Sequence, residues 1–195
     1  MDPGVGVAMV RGSILAAAVF AALSAVQAAS LDGVSAPDVR EVSGVRMHLN
    51  GIGLRTFSLL GIRVYVAALY LEHRSNSSDE ILRSPNMKLI SMQFLRDVSA
   101  EDARKAWQES FEQNCKAPCY LDLHYLQRFL AAIPSVRKGD ECTFLFTARG
   151  AHIAINGKPV GDILDRHFAN LVLATFIGAE PPTPRFKREL LGLRD

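Results

Sequence analysis

Two side chains between Leu49 and Glu72 carry chemistry that their neighbours do not account for. Arg55 stands in the run Leu54–Leu59 and Tyr65 in the run Ile62–Leu71, two strand-like segments separated at Leu60-Gly61. Side chains alternate faces along a strand. Arg55 is therefore expected on the side of Phe57 and Leu59, with Thr56 and Ser58 opposite. In the second run Arg63, Tyr65, Ala67 and Leu69 are expected to share one face. A guanidinium on an apolar face is costly unless something anionic or strongly polar meets it. An arginine in a half-apolar hairpin is what a pocket for an amphiphilic acid requires. Two plainer fates fit the same pattern: snorkelling to water, or an internal ion pair with Asp97 or Glu101. The face assignment also depends on register, because a slip of one residue reverses it.

Other reactive residues form no such pattern. Cys115 and Cys119 flank a short Lys-Ala-Pro loop and could pair as a disulfide in an oxidising compartment, but their spacing is not that of a C-x-x-C redox or zinc motif. Cys142 precedes Phe144 and Phe146 and reads as a core residue. His48, His73, His124, His152 and His167 are scattered, with no metal-ligand spacing. No G-x-S-x-G elbow, phosphate loop or dinucleotide fingerprint occurs, so neither a metal nor a cofactor is expected. Trp107 and Phe111, one helical turn apart, read as core.

The chain has 195 residues, 49% hydrophobic and 22% charged, with a net charge of +2. That is the composition of one globular domain, and no basic block interleaved with aromatics suggests nucleic acid. The N-terminus differs. Arg11 precedes an apolar stretch, Ser13–Val26, that is too short to span a bilayer comfortably and ends in Val26-Gln27-Ala28. Residues 1–28 are therefore predicted to be a signal peptide, cleaved before Ala29, and the mature protein to be periplasmic, with no stable membrane insertion. Retention of this segment as an anchor is the alternative.

Residues 29–38 read as a flexible lead-in, and residues 39–195 as the folded domain. Val39–Leu49 predicts a strand or hairpin bent at Gly44, and Asn50-Gly51 a tight turn. After the Arg55–Tyr65 hairpin, Asp79–Arg83 is a helical turn and Lys88–Leu95 a strand. Ser99 caps a helix running to about Asn114, followed by a second helix, Leu121–Ile133, with Leu123, Leu126, Leu130 and Ile133 on its apolar face. Glu141–Ala148 and His152–Ile155 form a hairpin. Ile163–Ile177 is a helix burying Leu164, Phe168, Leu171, Val172 and Thr175, and Arg185–Leu191 is a last short helix. Strands, a helix pair, strands and helices make an α+β fold rather than a βαβ array.

Taken together, Asn50-Gly51-Ile52-Gly53-Leu54-Arg55, then Leu69-Tyr70-Leu71-Glu72, then Ala169–Gly178 (ANLVLATFIG) resemble the chalcone isomerase-like family, in its small secreted bacterial branch. The resemblance covers residues 39–192. It implies an antiparallel β-sheet packed against a layer of α-helices, with a ligand cleft between them and Arg55 facing that cleft. Isomerases of the family use this arginine on a phenolate or developing negative charge, and fatty-acid-binding relatives use it on a carboxylate. Tyr65 stands where isomerases carry a threonine, as in the fatty-acid-binding relatives. The isomerase tyrosine opening the long helix has no counterpart in Ser99–Asp102. The lysine of the preceding strand falls at Gln93, and the serine or threonine of the late helix at Ala169.

The expected function is thus non-catalytic binding of a fatty acid or similar amphiphilic anion, with its head against Arg55 and Tyr65. The alternative is an intramolecular lyase, a chalcone–flavanone type of isomerase acting on a phenolic enone, with the same two residues catalytic. A cell-envelope adaptor with a vestigial cleft is the third reading.

Overall fold

The structure is a computed structural model that describes Met1 and residues 27–58, 60–116 and 118–193. The expected signal peptide falls almost wholly outside the described residues. Among those described, no helix is long and apolar enough to cross a membrane.

A seven-stranded antiparallel sheet follows chain order: β3 (Val39–Val42), β4 (Val45–Phe57), β5 (Ile62–Leu71), β6 (Lys88–Phe94), β7 (Glu141–Thr147), β8 (Gly150–Ile155) and β9 (Lys158–Ile163). Helix α1 (Ser78–Arg83) lies between β5 and β6. Helices α2 (Ala100–Asn114) and α3 (Leu123–Ala132) fill the long connection from β6 to β7. Helices α4 (Arg166–Ile177) and α5 (Pro184–Leu190) close the chain. The α+β expectation holds.

Both faces of the central strands are buried, and strand alternation sorts their side chains. From β5 and β6, Ala67, Leu69, Ile90 and Met92 join Phe111, Phe129, Phe144, Phe168 and Phe176 in the core beneath the helices. Their neighbours Ala68, Tyr70 and Leu89 join Met47 and Leu49 in a second, smaller core on the opposite face. Burial on both sides explains why β5 reads as an almost unbroken apolar run.

A second hairpin covers that smaller core. Ala28–Leu31 (β1) and Val34–Pro37 (β2) pair around Asp32-Gly33, both at positive φ. These residues were expected to be a flexible lead-in, but Ala36 is buried in the second core. The Asp-Gly dipeptide is the hairpin signal that marks it.

Two further expectations change. Ile163, expected to open a helix, instead ends the strand Lys158–Ile163, which as the outermost strand tolerates Pro159. Asp165 then caps α4 by accepting the Phe168 amide hydrogen, so the helix starts at Arg166 and Leu164 is left 76% exposed. On α3 the buried residues are Leu126 and Phe129, whereas Leu123 is exposed.

Asn50-Gly51 is not a turn. It lies inside β4, at an irregularity of the β4–β5 register between Leu49 and Gly51. Beyond His48 this strand has no partner in β3, and an open edge invites unwanted pairing. Helix α5 covers it. Asn50 Nδ2 donates to the Leu190 carbonyl, and the Leu54 amide donates to Glu189 Oε2. A Cβ on Gly51 would lie 2.1 Å from the Glu189 carbonyl oxygen and 2.5 Å from that of Leu190. The glycine is there for close approach. Gly51→Ala is expected to displace α5 at a cost of about 1–3 kcal/mol. A thermal melt should fall by several degrees, whereas Gly161→Ala, whose added Cβ meets only Ala132 Cβ at 3.7 Å, should barely move it.

Candidate functional site

The β4–β5 pairing places Arg55 directly opposite Tyr65. Cross-strand partners on one face have their side chains side by side. The next pair is Thr56 with Arg63, so Val64 is an extra residue and β5 bulges. Two residues then face one, and the alternation of β5 is reset. Val64 and Tyr65 both turn to the cleft. Arg63, expected to share the face of Tyr65, instead pairs with Asp32 of the β1–β2 turn at 2.6 Å. The bulge is the physical reason for that correction.

Arg55 and Tyr65 line a cleft of about 400 Å³ between the ends of β4–β6, helix α2 and the C-terminal part of α4. This volume lies within the range of small-molecule sites, roughly 300–1,000 Å³. Its walls are largely apolar: Phe57, Met92, Phe94, Trp107 and Phe176. Arg96, Asp97, Asp102, Lys105 and Glu109 supply polar groups. Met92 and Phe94 lie on one alternating face of β6, which the strand pattern shows. Trp107, read from sequence as core, serves both purposes. It packs against Phe129, Phe144 and Phe176 and also forms part of the cleft wall. Thr175 and Pro182 reach the cleft only through tertiary packing, and no local pattern marks them.

Arg55 is half-buried and has no ion pair among the described residues. Its Nη1 donates to the carbonyl oxygens of Thr56 at 2.6 Å and Pro182 at 3.4 Å. Neither Asp97 nor Glu101 takes the guanidinium; Asp97 accepts the Lys138 amide hydrogen instead. Guanidinium carries five N–H donors. Both bonds leave from Nη1, so its other nitrogens have no partner among the described residues. A permanent charge is thus held at the edge of an apolar cavity with donor capacity to spare.

Tyr65 packs edge-on against Phe94 and Phe186, with ring centroids 5.5 and 6.0 Å apart. Burial pushes its phenol up to about 12, with the Arg55 charge pulling the other way. Near neutral pH the hydroxyl therefore keeps its proton and is a hydrogen-bond donor, not a base. Arg55 and Tyr65 together offer a cation and a neutral donor on one wall. That arrangement suits an anion with an apolar body.

The remaining candidates lie elsewhere. Cys115 and Cys119 form a disulfide at the C-terminal end of α2, and neither lines the cleft. Cys142 is free and buried, and burial raises its thiol to about 12, so it is no nucleophile. Among the described residues, no cluster of His, Cys, Asp and Glu could hold a metal. Gln93 is exposed and Ala169 is buried in the core, so neither contributes a polar group to the cleft. A larger hollow, about 590 Å³, lies by Asn50, Arg74 and α5. Structural bonds occupy its polar groups: Asn50 binds Leu190, and Arg74 binds the Leu49 carbonyl.

The raised phenol of Tyr65 has a measurable consequence. Its folded pKa lies above the ordinary tyrosine value of 10.0, so the folded state holds the proton more tightly. Its contribution to stability is complete below pH 10 and is lost as the pH rises toward 12. Denaturant unfolding measured across that window should show a smaller decline for Tyr65→Phe than for the unaltered protein.

Comparison with known proteins places this geometry in context. Residues 28–192 match the profile of a family described as chalcone isomerase-like. The crystal structure of a fatty-acid binding protein of Arabidopsis thaliana superposes with a TM-score of 0.71 at 20% identity, covering 85% of this chain and 96% of that one. No curated protein sequence matches.

Proposed function

Because the chain belongs to the chalcone isomerase-like family, we propose that its cleft binds a fatty acid or a similar amphiphilic anion without transforming it. The observation that carries this reading is the half-buried Arg55 guanidinium, which faces a largely apolar cavity and makes no ion pair among the described residues. The carboxylate of the ligand accepts from Arg55 and from the Tyr65 hydroxyl, and its alkyl chain lies against Met92, Phe94, Trp107 and Phe176. Each methylene withdrawn from water adds about 0.8 kcal/mol. The structural neighbour from Arabidopsis is itself a fatty-acid binding protein, which supports the same ligand class.

The lyase reading lacks a comparable observation. Closure of a chalcone needs an ionised hydroxyl as well as a polarised carbonyl. Burial holds the proton of Tyr65, and Gln93 and Ala169 give the cleft no polar assistance.

The charge of the ligand provides the test. Arg55→Ala removes a charge-assisted hydrogen bond of about 1.5–3 kcal/mol, so affinity for a long-chain fatty acid should fall roughly 10- to 100-fold. Affinity for the methyl ester, measured by the same calorimetric titration, should change only a few-fold. Equal losses for acid and ester would remove the carboxylate role.

The proposal places the protein in the periplasm. The apolar stretch Ser13–Val26 and its small-residue end support export, and a disulfide such as Cys115–Cys119 persists in an oxidising compartment. Cleavage before Ala29 leaves nearly all of β1, which begins at Ala28. Intact-mass analysis of exported protein should give a chain beginning at Ala29; a chain beginning at Met1 in the cytoplasmic fraction would refute export.

A further inference from the structure

We infer that the tip of the β4–β5 hairpin docks on an anionic lipid bilayer and seats the mouth of the cleft there, an inference that rests on the lipid-binding reading above. The turn from β4 to β5 carries Phe57, Leu60 and Ile62, which are 59%, 87% and 36% exposed. Chain reversal does not require them; positive φ at Ser58 and Gly61 accomplishes it. Single exposed apolar residues are ordinary, but three within six positions at one tip form a patch that water does not favour.

The patch is continuous with the cleft. Phe57 belongs to both, and Arg55, Val64, Phe94 and Arg96 line the cleft from the ends of β4, β5 and β6 nearest the tip. An acid leaving a bilayer in contact with this tip would reach Arg55 without crossing bulk water. Two arginines flank the tip, one from each face of the sheet. Arg63 follows Ile62 directly and stays largely exposed while paired with Asp32, and Arg96 follows β6 at the cleft mouth. Apolar side chains entering the acyl boundary with arginines at headgroup level is the arrangement of a peripheral membrane element. Three side chains give weak, reversible binding, which suits brief loading or unloading.

The experiment uses the exported protein and vesicles of phosphatidylethanolamine with phosphatidylglycerol, with pure phosphatidylcholine vesicles as the neutral comparison. Sedimentation should show the protein partitioning onto the anionic vesicles and less onto the neutral ones. Leu60→Glu, at an open position, should lower that partitioning about tenfold or more. Transfer of a fluorescent fatty acid from protein to vesicles should accelerate with vesicle concentration, and the variant should lose this dependence. Unchanged partitioning of the variant, or a transfer rate independent of vesicle concentration in the unaltered protein, would overturn the inference. Fatty-acid affinity without vesicles separates the two claims. Binding by both proteins without vesicle association defeats only the docking, whereas absence of binding by the unaltered protein defeats the cleft reading itself.

Discussion

The register of β4 against β5 is the constraint on which the site depends. A sheet buried on both faces cannot slip, because a shift of one residue would exchange the Leu69 and Tyr70 faces and empty two cores at once. That register sets Arg55 beside Tyr65. The bulge at Val64 then sends Arg63 to the opposite face, where it ties the β1–β2 hairpin to the sheet through Asp32. One inserted residue thus separates two arginines that alternation alone would have placed together. One faces the cleft and the other holds the outer layer in place.

Close packing of α5 completes the arrangement. Gly51 and Gly53 let the helix approach β4, and Asn50 and Glu189 supply the polar contacts that seal the strand edge. The segment leading into α5 brings the Pro182 carbonyl to Arg55, and Phe186 within α5 packs on Tyr65. The glycine-rich motif therefore acts on the site indirectly. It positions the helix that packs against Tyr65 and the segment that meets Arg55.

Much of this was legible in the residues themselves. The hairpin bearing Arg55 and Tyr65, the Ser99 cap of α2, the disulfide pair and the buried character of Cys142 all follow from local pattern. The Asp-Gly hairpin was equally local and was hidden only by its small, polar flanks. What local pattern could not supply was set by packing between distant segments. The face of Arg63 depended on a bulge whose cause lies in two strands together. The role of Asn50-Gly51 depended on a helix some 140 positions later. That Arg55 has no ion pair among the described residues could be seen only once Asp97 was found with another partner.

The central claim is that Arg55 meets a carboxylate inside an apolar cleft, and the ionisation of the bound acid tests it most directly. Carbon NMR of a fatty acid labelled at its carboxyl carbon would follow that titration in the complex. An adjacent guanidinium favours the charged form, whereas an apolar cavity alone favours the neutral one. The account expects the bound carboxyl to stay ionised well below the usual carboxylate range, with the titration moving upward in Arg55→Ala. A bound carboxyl that titrates above the free acid, unchanged by the substitution, would contradict it.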